Sequence, residues 1–192
     1  MRTAKGRSAV RRSVGRMEFS VRRYAPDDAA ALATVMWRSV RVGALADYSG
    51  AQTEAWLPVP RSAEAMHRWA SEGRAVLVAT TEADGVVGYL DVEADGHIDH
   101  LDRVPEVTGA GVAGALYDAL ERLAREAGIV RLRVEASEAA RRFFTKRGFR
   151  VEERRDWELR GVPIHNDAMS KVLEAPGAPA SLPGAASCPS GP

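Results

Sequence analysis

Residues 97–113 read HIDHLDRVPEVTGAGVA, and they carry the clearest structural signal in the chain. The pattern over His97–Val104 predicts a strand, and apolar periodicity over Gly111–Ala127 predicts a helix. Gly109 and Gly111 lie in the loop between the two. The first turn of a helix leaves N–H groups without internal acceptors and carries partial positive charge, so this loop suits a pyrophosphate. Taken alone, an ordinary strand-to-helix turn explains the loop equally well.

The segments before this loop narrow its interpretation. Asp84-Gly85 and Asp95-Gly96 predict hairpin turns, which makes His97–Val104 the third strand of a meander. A dinucleotide fingerprint follows the first strand of a βαβ unit, so the spacing of Gly109, Gly111 and Gly114 does not indicate one here. A Walker loop is excluded because no Gly-Lys-Ser/Thr follows.

Alternation, helical periodicity, caps and Gly or Pro punctuation predict the remaining elements. Together they indicate an α/β fold built on a mixed sheet. The predicted elements are a strand at Phe19–Arg23, a helix from Pro26, helices capped by Ser49 and Ser62, strands at Ala75–Thr80, Val86–Glu93 and Ile129–Ala136, a helix at Glu138–Arg147, and two strands flanking Arg160-Gly161.

Composition restricts the class of protein. The chain has 192 residues and a formal net charge of +1, which argues against nucleic acid as the main partner. One cysteine, Cys188, cannot form an internal disulfide and fits a reducing cytoplasm. No apolar run reaches the roughly 18–20 residues that span a bilayer. Residues 97 and 100, the two histidines of this strand, lack helical metal-ligand spacing, and no CxxC exists, so no metal site is expected.

Both termini look unlike a folded domain. Residues 1–16 are basic and nearly free of large apolar side chains, so we expect a disordered tail, or a true start at Met17. Residues 175–192 are rich in Pro, Gly, Ala and Ser and are expected to be disordered. The folded domain is therefore expected over residues 17–174. A nucleic-acid-binding arm at residues 1–16 is a weaker alternative.

Four motifs, in order, resemble the GNAT family of N-acetyltransferases. Residues 108–113 match its Gln/Arg-x-x-Gly-x-Gly/Ala loop at Gly111 and Ala113, with Thr108 in place of Gln or Arg. Residues 140–149 match the family's Ala-x-x-Phe-Tyr/Phe-x-x-x-Gly-Phe. Residues 48–56 and 160–169 are similar to one bacterial subgroup of the family. The resemblance covers nearly all of residues 17–173.

The resemblance implies a central six- to seven-stranded mixed, largely antiparallel sheet flanked by helices, with splayed central strands. It also implies acetyl-CoA as cosubstrate, an amine of a small molecule as acceptor, and direct attack in a ternary complex. The pantetheine arm would pair with backbone groups near Leu101 and Arg103, and the loop would hold the pyrophosphate. The implied cofactor-binding residues are Leu101, Arg103, Thr108, Gly109, Ala110, Gly111, Val112, Ala113, Ser137 and Phe144.

The acid and base are less clear from the sequence. Phe144 stands where many members have a Tyr that protonates the leaving thiolate, so we expect Phe144 to pack near the cofactor. Tyr48 is a candidate acid, or a half-buried anchor of the helical arm. His97 is the candidate base and His100 its rival, although each could simply bond a backbone group. Alternation places His97 with Asp99 on one face, opposite His100, and Glu135 is a possible neighbour.

Three hypotheses remain from the sequence: an N-acetyltransferase, a non-catalytic acyl-CoA-binding module, and a nucleic-acid-associated acetyltransferase guided by residues 1–16. The arm over residues 38–69 is expected to cover the acceptor. A homodimer is left open.

Overall fold

The computed structural model describes residues 10–14 and 17–173. Most of the two expected tails lies outside these residues, so the domain boundaries stay predictions. Val10–Val14 differs from the expected disorder, because it forms a strand, β1, that pairs antiparallel with Met17–Arg23, β2. β1 lies at the edge of its sheet.

The helices and strands follow the predicted order closely, and their ends shift by one to three residues. A 3₁₀ turn at Pro26–Asp28 precedes the first helix. The remaining elements are α1 Ala29–Arg41, α2 Gly50–Trp56, α3 Ala63–Ala70, β3 Ala75–Thr81, β4 Gly85–Val92, β5 His97–Ile98, β6 Leu101–Arg103, α4 Val112–Glu126, β7 Arg131–Ala136, α5 Glu138–Lys146, β8 Arg150–Leu159 and β9 Val162–Val172.

The strands form two sheets that share one stretch of chain. The first has the order β1-β2-β3-β4-β6, and the second has the order β5-β7-β9-β8. Every pairing is antiparallel except β5 with β7, which is parallel. This confirms the mixed, largely antiparallel sheet. The count differs slightly, since the expected single strand His97–Val104 is two strands in two sheets and β1 is an additional strand.

Helices cover both faces of the first sheet. Strand β4 is buried almost continuously, as expected for a strand packed on both sides. On one face the Tyr89 ring lies 5.8 Å from the Trp69 ring of α3. On the other face an added Cβ at Gly88 would lie 3.2 Å from Cγ1 of Val112 in α4. None of the helices within residues 17–173 is long and apolar enough to cross a membrane.

The two predicted helix caps on the arm are confirmed. Ser49 Oγ accepts the Gln52 N–H at 3.2 Å, and Gln52 Oε1 accepts the Ser49 N–H at 2.9 Å. Ser62 Oγ accepts the Ala65 N–H at 3.2 Å. These caps satisfy N–H groups that short helices otherwise leave unpaired, and so set the start of α2 and α3.

Candidate active site

The central feature is a gap between β6 and the end of β7. His97 and Ile98 pair with β7, and then the chain leaves that sheet and pairs with β4 instead. The other edge of β7 is taken by β9, so Glu135 and Ala136 have no strand on the side that faces β6. The outer edge of β6 and the end of β7 therefore present backbone groups to one opening, which we call the gap. Its vertex is the break at residues 99–100.

A buried carboxylate holds the strand break. Asp91 in β4 is fully buried, and its Oδ1 accepts the backbone N–H of His100 at 2.7 Å. Its Oδ2 accepts from Nη1 of Arg74 at 3.0 Å. Burial raises the pKa of Asp91, although His100 and Arg74 oppose the shift. The carboxylate thus accepts the His100 N–H, which in a continuous strand would have bonded to the neighbouring strand.

We expect Asp91→Ala to lower the free energy of unfolding by about 1–3 kcal/mol, because it leaves the backbone N–H of His100 without its buried acceptor. Urea denaturation of the purified variant measures the change. Asp84→Ala is the matched control, since Asp84 is exposed and contacts the hydroxyl of Thr81; it should change stability by less than about 0.5 kcal/mol. Equal losses in the two variants would contradict this role for Asp91.

His100 lies at the vertex of the gap, against two aromatic rings. Its ring centroid is 4.6 Å from that of Trp69 and 5.8 Å from that of Tyr89. Its Nδ1 is buried without a hydrogen bond and lies 3.5 Å from Oδ2 of Asp99. The Trp69 indole N–H donates to the same oxygen at 3.0 Å. The carboxylate of Asp99 therefore faces His100, and the expectation from alternation was wrong because the strand breaks between these residues.

His97 is held by carboxylates on the paired side of the break. Its Nε2 lies 2.7 Å from Oε2 of Glu135, and its Nδ1 lies 3.7 Å from Oε1 of Glu93. The proximity of Glu135 was foreseen from the sequence. Burial lowers the pKa of His97, but the two carboxylates outweigh burial and the pKa is raised. A raised pKa favours the imidazolium form, which cannot act as a base.

The His97 pair should make stability depend on pH. Because the folded pKa lies above the unfolded value of 6.5, the pair stabilises fully below that value. Its contribution is lost as the pH rises through the folded pKa. We therefore expect His97→Gln to cost more unfolding free energy at about pH 6 than at about pH 9. Urea denaturation at both pH values measures this. His67→Gln is the control, since the His67 ring bonds a hydroxyl, that of Tyr24, and not a carboxylate. A loss that is the same at both pH values would argue against a charged pair.

The glycine loop has the geometry of an anion site. Val112 begins α4 with Gly111 as its N-cap, and no side chain caps the helix. Gly109 and Gly111 have φ of 80° and 81°, a left-handed conformation that glycine adopts without strain. The first backbone bond into the helix is from the Ala115 N–H to Gly111 O. The three N–H groups that precede it, at residues 112–114, are therefore free to face a ligand.

Two loop residues differ from the expected pattern. Ala110 was expected to offer its amide to a phosphate. Its N–H instead donates to Val107 O at 3.1 Å, so that amide is not free. The Val112 side chain is buried in the core, so Val112 can offer only its backbone. The Thr108 hydroxyl accepts a bond from Nη1 of Arg103. Sequence reasoning placed Arg103 here for its backbone and missed its side chain.

Tyr48 acts as the anchor of the arm. It is buried, and its hydroxyl accepts the Glu138 N–H at 2.9 Å and donates to His165 O at 3.4 Å. The ring packs edge-on against Trp56 at 5.6 Å. Burial raises the pKa of Tyr48. The geometry favours the anchoring alternative over an acid, because both hydrogen-bonding capacities of the hydroxyl are used inside the protein.

Phe144 differs from its expected role, and Ser137 has a structural role besides its expected contact with the cofactor. Ser137 follows β7 and caps α5, where its Oγ accepts the Ala140 N–H at 3.4 Å. Phe144 is completely buried, with ring contacts to Phe149 and Tyr117. Its side chain therefore belongs to the core and has no surface for a cofactor.

The sequence reasoning also missed Arg74 and Asp91, and it placed Trp69 on the arm without a role at the vertex. A usable signal existed for Asp91, because it is a charged residue within the otherwise apolar pattern of β4. No comparable signal marked Trp69 in α3 or Arg74 just before β3, because only the folded chain brings them to the vertex.

Comparison with known proteins supports the family. Residues 44–171 match the model of the GNAT acetyltransferase domain. The chain belongs to the GNAT family. A curated GNAT relative is the uncharacterized N-acetyltransferase YafP of Escherichia coli, 33% identical over 150 residues, which are 77% of this chain and 92% of YafP.

Solved GNAT structures share the fold. A GCN5-related N-acetyltransferase from Rhodopseudomonas palustris has a TM-score of 0.68 and 35% identity, over 80% of this chain and 94% of that one. The PaiA N-acetyltransferase from Thermoplasma acidophilum, solved with coenzyme A, has a TM-score of 0.66 and 20% identity, over 82% of this chain and all of its own. At that identity the second likeness shows the fold alone.

Proposed function

We propose that this GNAT protein is an acetyl-CoA-dependent N-acetyltransferase that acetylates an amine of a small molecule. The gap carries this proposal, because an unpaired strand edge leads through a 3₁₀ turn at Pro105–Val107 into a glycine loop that caps a helix. Backbone donors and acceptors along β6 suit the amides of a pantetheine arm, and the helix N-terminus suits a pyrophosphate. The location we propose is the cytoplasm, because a single cysteine fits a reducing compartment.

Acetyl-CoA would lie along the gap, with its pyrophosphate at the glycine loop and its thioester at the vertex. The backbone of Leu101 and Arg103 would pair with the pantetheine amides. The amides at Gly109, Gly111 and residues 112–113 would face the pyrophosphate. The acetyl thioester would then reach the vertex beside His100.

We propose His100 as the base and His97 as a supporting charge. His100 adjoins the open edge of β6, whereas His97 lies on the paired side with carboxylates at both nitrogens. The amine nitrogen attacks the thioester carbonyl and gives its proton to His100. The C–S bond then breaks and coenzyme A leaves as the thiolate, which takes a proton from the imidazolium or from solvent.

A panel of primary amines, with coenzyme A release followed by thiol detection, tests the activity. We expect steady release above the rate of thioester hydrolysis for at least one small amine. The Gly111→Glu variant serves as the background control, because it should not bind the donor. Release that no amine accelerates, together with tight acetyl-CoA binding, would contradict catalysis.

That outcome would favour a second candidate, a non-catalytic acyl-CoA-binding module. The buried Phe144 and the internally bonded hydroxyl of Tyr48 motivate it, since neither can protonate a leaving thiolate. Calorimetry with acetyl-CoA and then with each amine in the presence of coenzyme A separates the two. A binding module shows the first signal without turnover.

A further inference from the structure

The glycine loop lacks the long polar side chains that the matching family motif carries. Thr108 stands where the motif has Gln or Arg, and Ala110 also ends at a methyl group. A loop of this composition can offer a phosphate its backbone N–H groups and one hydroxyl. A cation that contacts the loop comes from outside the motif, from Arg103 at the end of β6.

The position of Arg103 directs its side chain to the loop. Arg103 pairs with Gly88, and a Cβ added at Gly88 would lie 3.3 Å from the Arg103 Cβ and 3.2 Å from Cγ1 of Val112. The Arg103 side chain therefore leaves β6 on the face that α4 covers, beside the first residue of that helix. Its guanidinium reaches Thr108.

Within the described part of the chain, the charge of Arg103 has no partner of opposite sign. Among residues 17–173, no carboxylate forms an ion pair with Arg103. The nearby Glu106 pairs with Arg38 instead. Partial burial lowers the pKa of Arg103, with no anion to offset it. A partly desolvated cation without an anion is costly unless a ligand supplies one.

We propose that the guanidinium of Arg103 binds the phosphates of coenzyme A, in place of the side chain that the loop lacks at Thr108. The inference rests on the proposed function and names one binding residue of that site. A planar guanidinium with several donors matches phosphate oxygens, and its hydroxyl contact to Thr108 holds it at the loop. Of the two substrates, Arg103 contacts only acetyl-CoA, and it takes no part in the proton transfer.

Arg103→Met tests the proposal, because Met keeps the aliphatic bulk and removes the charge. We expect the Kd for acetyl-CoA, measured by calorimetry, to rise about 10- to 100-fold, as for a lost charge-assisted hydrogen bond. The Kd for 3′-phosphoadenosine 5′-diphosphate, which is coenzyme A without its pantetheine arm, should rise by a similar factor. Arg38→Met is the matched control, since Arg38 pairs with Glu106, and it should change either Kd less than about twofold.

A relocated cation separates binding from a structural role. In the double variant Arg103→Met with Thr108→Arg, we expect at least a tenfold recovery of acetyl-CoA affinity, since the charge returns at the motif position. Unchanged affinity in Arg103→Met overturns the proposal, and so does a loss that Thr108→Arg does not recover. Failure of the wild-type protein to bind acetyl-CoA would instead overturn the proposed function.

Discussion

Gly111→Glu is expected to abolish measurable acetyl-CoA binding, with a Kd at least about 100-fold higher than in the wild type. Gly111 is the N-cap of α4 and has a φ of 81°, so the new side chain strains the cap by about 1–2 kcal/mol. The larger effect is the carboxylate, which would stand among the amides proposed to face the pyrophosphate. Like charges brought together at a binding site cost several kcal/mol.

Gly128→Glu separates charge repulsion from backbone strain. Gly128 follows the other end of α4, has a φ of 74°, and has no atom within 4 Å of an added Cβ. We expect it to lose similar stability and to keep its affinity for acetyl-CoA. Calorimetry on both variants, after urea denaturation has shown that they are folded, gives the comparison. Wild-type affinity in Gly111→Glu would show that the loop does not bind the phosphates.

His100→Ala is expected to lower kcat about 100- to 1,000-fold, within the range that a general base contributes. The KM for acetyl-CoA should change little, because the imidazole is proposed to contact the amine and not the donor. The fall in kcat at acidic pH, which reports protonation of the base, should disappear in the variant. Steady-state kinetics across pH with the best amine of the panel measures both effects.

His97→Ala is the matched control for the base. Its imidazole lies on the same stretch of chain but between Glu135 and Glu93. We expect it to lower kcat less than about tenfold and to leave the acidic limb in place. His100→Gln keeps more of the packing between Trp69 and Tyr89 and should lose as much activity as His100→Ala. A larger loss in His97→Ala than in His100→Ala would assign the base to the other imidazole.

Local sequence signals predicted the elements well, because those signals act over a few residues. The box of Ser49 and Gln52 and the cap at Ser62 require only neighbours within three positions. Likewise, Gly128 marks the end of α4 and the apolar stripe marks its buried face, and both signals lie within or next to that one helix. Such interactions do not depend on how the helices later pack.

The chemical roles were harder to predict, because each depends on a partner distant in the chain. The hydroxyl of Tyr48 is used by Glu138 and His165, 90 and 117 residues away. Phe144 is core because Phe149 and Tyr117 surround it. A motif shows that a residue stands at a given position, but burial decides which of its atoms a ligand can reach.

The stretch from His97 to Ala113 shows most clearly what the local sequence predicts and what distant contacts decide. The sequence alone determined that a strand would lead through two glycines into a helix, since alternation, φ > 0 glycines and helical periodicity are local properties. Only the tertiary structure decided that the strand breaks at Asp99 and His100. The cause is a buried carboxylate on another strand, Asp91, which accepts the His100 N–H and is held by Arg74, the residue before β3. That break opens the gap, and no pattern within the stretch itself encodes it.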